Sequence, residues 1–147
     1  MIRLREFEER DAAVLQKKQM PDVGTEEITD MIRAWRTKTF DGKRFEMLAV
    51  LSDDTVVGSV SLYERSKSVA SVGIEVFADE RGKGYASAAM KRIAETARNR
   101  GYRVIWDQVA ANNKPSISLH EKLGFETDGY IYRNAKDCEV LLWLFCL

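Results

Sequence analysis

The chain has 147 residues, with 23 Lys plus Arg against 23 Asp plus Glu and 45% hydrophobic residues, the make-up of one globular domain able to bury a core. Zero net charge offers no basic excess for nucleic acid, so no nucleic-acid partner is expected, and any anion must be gripped by a local site. One histidine and two cysteines leave no spaced set for a metal.

Cys138 and Cys146, eight residues apart on a strand, are too far apart to bond and are expected as buried free thiols in a reducing compartment. The opening IRLREFEERD is too charged for a signal peptide, and the apolar run Val140 to Leu147 is too short to cross a bilayer. A cytoplasmic protein without a membrane partner is therefore expected.

Ile2 and Leu4 alternate with charges as in a short first strand, which can extend to Phe7. Asp11 stands at an N-cap position before AAVLQKKQM. Pro21, Asp22 and Gly24 break that helix, and Thr25-Glu26-Glu27-Ile28 starts a second, whose apolar stripe is Ile28, Ile32 and Trp35 and which fades at Asp41-Gly42. Arg44 to Leu51, Thr55 to Tyr63 and Val69 to Phe77 read as a three-strand meander joined by polar turns.

The period then changes. Ala86, Ala89, Met90, Ile93 and Ala97 recur at three and four, a helix that Gly101 stops. Val104 to Val109 is a strand, and Asn113 caps a short helix ended by Gly124. Phe125 to Arg133 and Glu139 to Leu147 close the chain as two strands. The order β-α-α-β-β-β-α-β-α-β-β predicts a single α+β (mixed α/β) domain over residues 1–147, one sheet antiparallel in its middle with helices packed on it.

Between the third meander strand and the long helix runs ADERGKGYAS, from Ala78 to Ser87. Unpaired N–H groups and the helix dipole make a helix start attractive to anions, and glycines let a phosphate come close. Arg81 and Lys83 are ill placed for the dipole unless an anion occupies the turn. GKGYAS half-matches the dinucleotide fingerprint, with Asp107 near the ribose position. Ser87 in place of the third glycine, and the antiparallel strands before the motif, count against that reading.

Arg81-Gly82-Lys83-Gly84-Tyr85-Ala86 resembles the R/Q-x-x-G-x-G/A signature of the GCN5-related N-acetyltransferases (GNAT), which bind acetyl-coenzyme A. NKPSISLHEKLGF, from Asn113 to Phe125, resembles that family's N-x-x-(A/S)-x-x-L-(Y/H)-E-K-x-G-F segment, in the style of the phosphinothricin-type branch. The resemblance implies the GNAT fold: a twisted, mostly antiparallel sheet of six to seven strands with about four helices. It also implies acetyl-CoA as acetyl donor, with no metal. The N–H groups of Gly82, Lys83, Gly84, Tyr85 and Ala86 would cradle the pyrophosphate, with Arg81 opening the turn. Backbone along Val76, Phe77 and Ala78 would hold the pantetheine arm, and Asn113 would touch it. Arg98, Arg100 and Lys114 are candidates for a 3′-phosphate contact or plain solvated surface.

Acetyl transfer needs a base for the amine and a proton for the leaving thiolate. Glu75, in the apolar run VGIEVF, would be raised toward base strength by burial, as some relatives use a glutamate in this region. His120, where many members carry a tyrosine, would be the general acid. Asp107 and Gln108 lie on the strand lining the cleft, one of them facing the acceptor. Trp35, Tyr63 and Trp106 wall the cleft or belong to the core, and Met20 to Thr25 falls at the acceptor loop.

The expected activity is N-acetylation of a primary amine on a small molecule or peptide N-terminus by direct attack in a ternary complex. The alternatives are a non-catalytic acyl-CoA-binding or sensor module and a dinucleotide-binding domain. The apolar last strand can support a homodimer or serve as core.

Overall fold

The computed structural model describes residues 1–147. Strand β1 (Ile2–Glu6) leads through a 3-10 turn at Glu9–Asp11 into α1 (Ala12–Lys18) and α2 (Thr25–Trp35). Four strands follow: β2 (Thr39–Phe40), β3 (Lys43–Ser52), β4 (Thr55–Glu64) and β5 (Val69–Val76). Then come α3 (Tyr85–Asn99), β6 (Val104–Ala110), α4 (Lys114–Lys122), β7 (Tyr132–Arg133) and β8 (Glu139–Cys146). The sheet order is β1-β3-β4-β5-β6-β8-β7, with β2 folded back on β3. The expected mixed α+β architecture is what forms.

Strand alternation sends two sets of side chains to two cores. On one face Val50, Val60, Leu62, Ala70, Val72 and Ile105 meet Ala89, Met90, Ile93 and Ala97 of α3. On the other, Ala49, Leu51 and Phe77 meet Phe7, Leu15, Ile28 and Ile32 under α1 and α2. The stripes read along the two long helices are thus the stripes that are buried.

Every pairing in the sheet is antiparallel except one. β5 and β6 run parallel for three residue pairs only, Val69↔Val104, Ala70↔Ile105 and Ser71↔Trp106. Beyond Ser71 and Trp106 the two strands diverge, β5 staying with β4 and β6 with β8. The sheet is therefore two blocks joined at one end and open at the other. Arg65 clamps the joined end: its guanidinium lies 4.7 Å from the Tyr63 ring centroid and 5.0 Å from that of Trp106, and its Nε donates to Ser71 Oγ at 2.9 Å.

Several expectations need correction. The strand expected over Phe125 to Arg133 is reduced to a single bridge, Glu126 to Leu144, and the two residues of β7. Thr127 Oγ1 and Asp128 Oδ1 accept the N–H groups of Gly129 and Tyr130, a local alternative to strand pairing. β2 was not foreseen: Asp41 and Gly42 both have positive φ, +51° and +76°, and form a tight hairpin turn rather than a helix end. Phe7 lies past the end of β1.

Both cysteines are exposed, not buried. Cys138 lies before β8, and Cys146 shares a strand face with the exposed Leu144, opposite the buried Trp143. One face of β8 is thus core.

Asp11 makes no side-chain cap bond for α1. It accepts two hydrogen bonds from Arg5, at 2.7 and 3.1 Å, and one from the Glu8 N–H at 2.8 Å. Burial pushes this carboxyl up, but the Arg5 bonds and the Glu8 N–H outweigh it and leave it below the usual carboxylate range.

A lowered folded-state value means stability present above the unfolded pKa and lost as pH falls. Asp11→Asn should cost about 2 kcal/mol at pH 7, and the difference should shrink below about pH 4, read from urea melts at both pH values. A Cβ on Gly58 would stand 2.1 Å from the Glu75 carbonyl oxygen, a backbone atom that cannot step aside. Gly58→Ala should therefore cost at least about 3 kcal/mol in the same melts.

Candidate active site

The open end of the sheet is where the sequence motifs gather. β5 ends at Val76, a 3-10 turn spans Ala78–Glu80, and the glycine turn follows directly before α3. Gly82 and Gly84 have φ of +79° and +81°, the left-handed region where a side chain is strained. None of the backbone N–H groups from Arg81 to Ser87 has a hydrogen-bond acceptor within the chain. A Cβ on either glycine would meet open space, so the N–H groups are approachable from outside. These donors, at the positive end of a long helix, fit a phosphate or pyrophosphate.

The two cations of the turn are not waiting for an anion alone. Arg81 donates from Nε to the Val76 carbonyl at 3.1 Å and from Nη2 to Glu75 at 3.2 Å, folding the turn back onto the end of β5. Lys83 pairs with Glu80 at 2.9 Å. Lys18 pairs with Asp79, which ties the end of α1, and with it the Met20 to Thr25 loop, to the same turn.

Of the backbone expected to hold a pantetheine arm, the Val76 carbonyl is engaged by Arg81. The Phe77 N–H donates to Val57 O at 2.9 Å, and the Phe77 side chain is core. Ala78 is exposed. Asn113 caps α4, its Oδ1 accepting the Ser116 N–H at 3.2 Å, which leaves its NH₂ group without a partner in the chain. Tyr85 accepts a hydrogen bond from Ser52 Oγ at 3.2 Å, tying the first turn of α3 to β3.

Glu75 is not buried. Along β5, Ala70 and Val72 point into the α3 core, whereas Ser71, Gly73 and Glu75 point to the other face, so the apolar neighbours of Glu75 turn away from it. Its side chain is 47% exposed. The expected desolvation is absent, and what acts on the carboxylate is Arg81.

His120 is fully buried and both ring nitrogens are engaged, Nδ1 with the Ser116 carbonyl at 2.7 Å and Nε2 with Asp107 Oδ2 at 2.9 Å. Phe125 and Trp143 pack on the ring. Asp107 thus points toward α4, into the layer with Ile105 and Val109, while Gln108 points to the opposite, exposed face, where Asn134 reaches it at 3.5 Å. The structure joins two residues that the sequence reading assigned to separate roles. The thirteen-residue gap between them hid the pairing, because it needs β6 and α4 to lie against each other.

Arg98 and Arg100 sit at the far end of α3, roughly 20 Å along its axis from the glycine turn at 1.5 Å per residue. Arg100 forms a two-point ion pair with the buried Glu46, at 2.9 and 3.2 Å. Neither belongs to the phosphate site, and Lys114 is exposed surface. Trp35 stacks on Phe7 at 5.3 Å, and Tyr63 and Trp106 hold Arg65 at the joined end of the strands.

No helix is long and apolar enough to cross a membrane. No three or more His, Cys, Asp or Glu side chains come together as a group that could hold a metal ion.

The chain is similar to known acetyltransferases. It is 30% identical over 103 residues to the Bacillus subtilis (strain 168) SPbeta prophage-derived uncharacterized N-acetyltransferase YokL, across 68% of this chain and 58% of that protein. It is 39% identical over 51 residues to the L-methionine sulfoximine/L-methionine sulfone acetyltransferase of Pseudomonas aeruginosa, across 35% of this chain and 30% of that one. The chain thus matches little more than half the length of the first relative and under a third of the second.

Among solved structures, Mycobacterium smegmatis RimJ in complex with CoA-disulfide superposes with a TM-score of 0.85 at 17% identity, covering 99% of this chain and 81% of that one. Vibrio cholerae spermidine N-acetyltransferase in complex with CoA and spermine gives 0.80 at 18%, covering 99% and 95%. Both share the fold. A family model covers residues 8–125, taking in the diverging strands, the glycine turn and α4, and by that match the chain belongs to the acetyltransferase (GNAT) family.

Proposed function

We propose that the protein is an acetyl-CoA-dependent N-acetyltransferase acting on a primary amine of a small molecule or peptide N-terminus, by direct attack in a ternary complex. The observation that carries this reading is the run of free N–H groups from Arg81 to Ser87, shaped by two left-handed glycines and set beside the opening between β5 and β6. That run suits the pyrophosphate, and the unpaired edge of β5 beyond Ser71 suits an extended pantetheine arm lying along it as a strand would. Asn113 adds a free amide NH₂ on the opposite wall. Acetyl-CoA would bring the activated acyl group. The chain's own part is to hold it straight and keep its carbonyl within reach of an amine.

Alkyl amines have pKa values of roughly 10, so a base is needed at neutral pH. Glu75, half-exposed at the end of β5 and paired with Arg81 of the turn, is placed to take the amine proton through water once Arg81 turns toward phosphate. Small amines fit an exposed face lined by Glu75 and Gln108. Amino-acid analogues and polyamines, the acceptors that the names of related proteins carry, are the first to try.

A second reading, a non-catalytic acyl-CoA-binding module, draws support from Glu75 being neutralised by Arg81 and His120 being sealed in the core. Turnover separates the two.

Acetyl-CoA at about 100 times its Kd should stabilise the fold by about 2.7 kcal/mol, a rise in Tm of roughly 5–10 °C, and NAD should give none. Gly84→Asn keeps a residue that tolerates positive φ but fills the cradle. It should weaken acetyl-CoA binding at least tenfold in calorimetry while Tm without ligand moves little, and unchanged binding would remove the phosphate assignment.

Thiol release over an amine panel should show acetyl-CoA-dependent turnover. Glu75→Gln should lower kcat by about 10²-fold with little effect on acetyl-CoA KM. A panel with binding but no turnover selects the module reading.

A further inference from the structure

The His120–Asp107 pair has a proton count fixed by its surroundings. Nδ1 of His120 faces the Ser116 carbonyl oxygen at 2.7 Å, and a carbonyl only accepts, so Nδ1 carries a hydrogen. Nε2 then faces Asp107 Oδ2 at 2.9 Å. With no proton between them, a nitrogen lone pair would press against a carboxylate oxygen. Moving the hydrogen from Nδ1 to Nε2 only transfers the conflict to Ser116. Both contacts are satisfied when the pair holds one shared proton, whether written as imidazolium and carboxylate or as imidazole and carboxylic acid.

The setting keeps that proton private. His120 is 0% exposed, and Phe125 and Trp143 cover its ring at 4.9 and 5.8 Å. β8 presents Trp143, directly across from Asp107, and α3 presents Met90 to the same core cluster, neither of them charged. No charged group other than its partner acts on either residue. Burial raises Asp107 further than His120 lowers it. On His120 burial pulls downward, but the bonds to Asp107 and Ser116 and the charge of Asp107 win, so both groups are raised.

Only one member of the pair keeps any exposed surface. Asp107 follows directly on Trp106, the last β6 residue paired with β5, so it stands on the wall where the two strands begin to diverge. Its side chain keeps 14% of its surface exposed. His120 lies behind it.

We infer that Asp107 is the group that protonates the departing thiolate, and that His120, which never reaches the opening, is a positioning residue that keeps a proton on it. This rests on the acetyl-transfer reading. The amine lone pair attacks the thioester carbonyl carbon, a C–N bond forms, and the C–S bond breaks with its electron pair going to sulfur. The surplus amine proton leaves toward water and Glu75. The proton shared by Asp107 and His120 moves to sulfur, releasing free thiol, and the emptied pair regains a proton from water at the exposed edge of Asp107. The thiolate of a thiol with pKa about 8.5 is a fitting acceptor for the proton that the pair shares.

Because the chain has a single histidine, its ring resonances need no assignment. NMR titration should give a midpoint above the ordinary imidazole value of about 6.5 in the wild type and a lower one in Asp107→Asn, where only the Ser116 bond still opposes burial. Equal midpoints, or a wild-type midpoint at or below 6.5, overturn the shared proton.

In thiol-release kinetics the wild-type kcat should fall as pH rises through that midpoint, because the donor form is depleted. Asp107→Asn should lose about 10²-fold in kcat with acetyl-CoA KM within about threefold, and should lose this alkaline limb. A variant that keeps both kcat and the limb overturns the donor role even if its melting temperature falls. A wild-type protein that turns over no amine overturns the acetyl-transfer reading and the donor role with it, while the NMR midpoints still decide whether the proton is shared.

Discussion

Three residue pairs hold the two halves of this sheet together. The parallel contact of β5 with β6 runs from Val69↔Val104 to Ser71↔Trp106 and stops, and everything proposed for function lies where it has stopped. A fully paired sheet would spend the inward edges of both strands on each other. Here those edges are free past Ser71 and Trp106, between a glycine turn on one side and the capped start of α4 on the other. Arg65, held by two rings and by Ser71, closes the joined end, so the opening is a feature of a braced structure.

Charge in this molecule is arranged by pairs. Zero net charge conceals cations at the glycine turn that are already answered by carboxylates, Arg81 by Glu75 and Lys83 by Glu80. Such exposed pairs are weak, so a phosphate can compete for them at little cost. The buried contacts are different. Asp11 with Arg5, Glu46 with Arg100 and His120 with Asp107 are each held at short range with few alternatives, and each ties one element to another. Asp11 and Glu46 serve architecture alone. Only the His120 pair includes a residue, Asp107, at the point where β6 leaves β5.

Much of the architecture was legible because local rules and tertiary packing agree. Ile28, Ile32 and Trp35 on α2, and Ala89, Met90, Ile93 and Ala97 on α3, repeat at helical spacing because the faces they mark are the ones buried. Gly101 and Gly124 stop their helices in the left-handed conformation expected of them. Local signals misled where two of them competed. Asp41-Gly42 read as a fading helix end, although the same dipeptide is strong hairpin chemistry and makes one. Thr127-Asp128-Gly129 breaks the strand expected over Phe125 to Arg133, because the Thr127 and Asp128 side chains bond the local backbone instead.

The sequence by itself determined the family, through the glycine turn and the segment from Asn113 to Phe125, because backbone conformation at a glycine and capping at an asparagine are set within a few residues. It could not determine the state of the chemical groups. Glu75 reads as buried among apolar neighbours, but strand alternation turns those neighbours to the opposite face. His120 reads as a lone acid, but the packing of α4 against β6 gives it Asp107 and removes it from solvent. Burial, pairing and proton count depend on which surfaces meet, and only the tertiary structure brings those surfaces together.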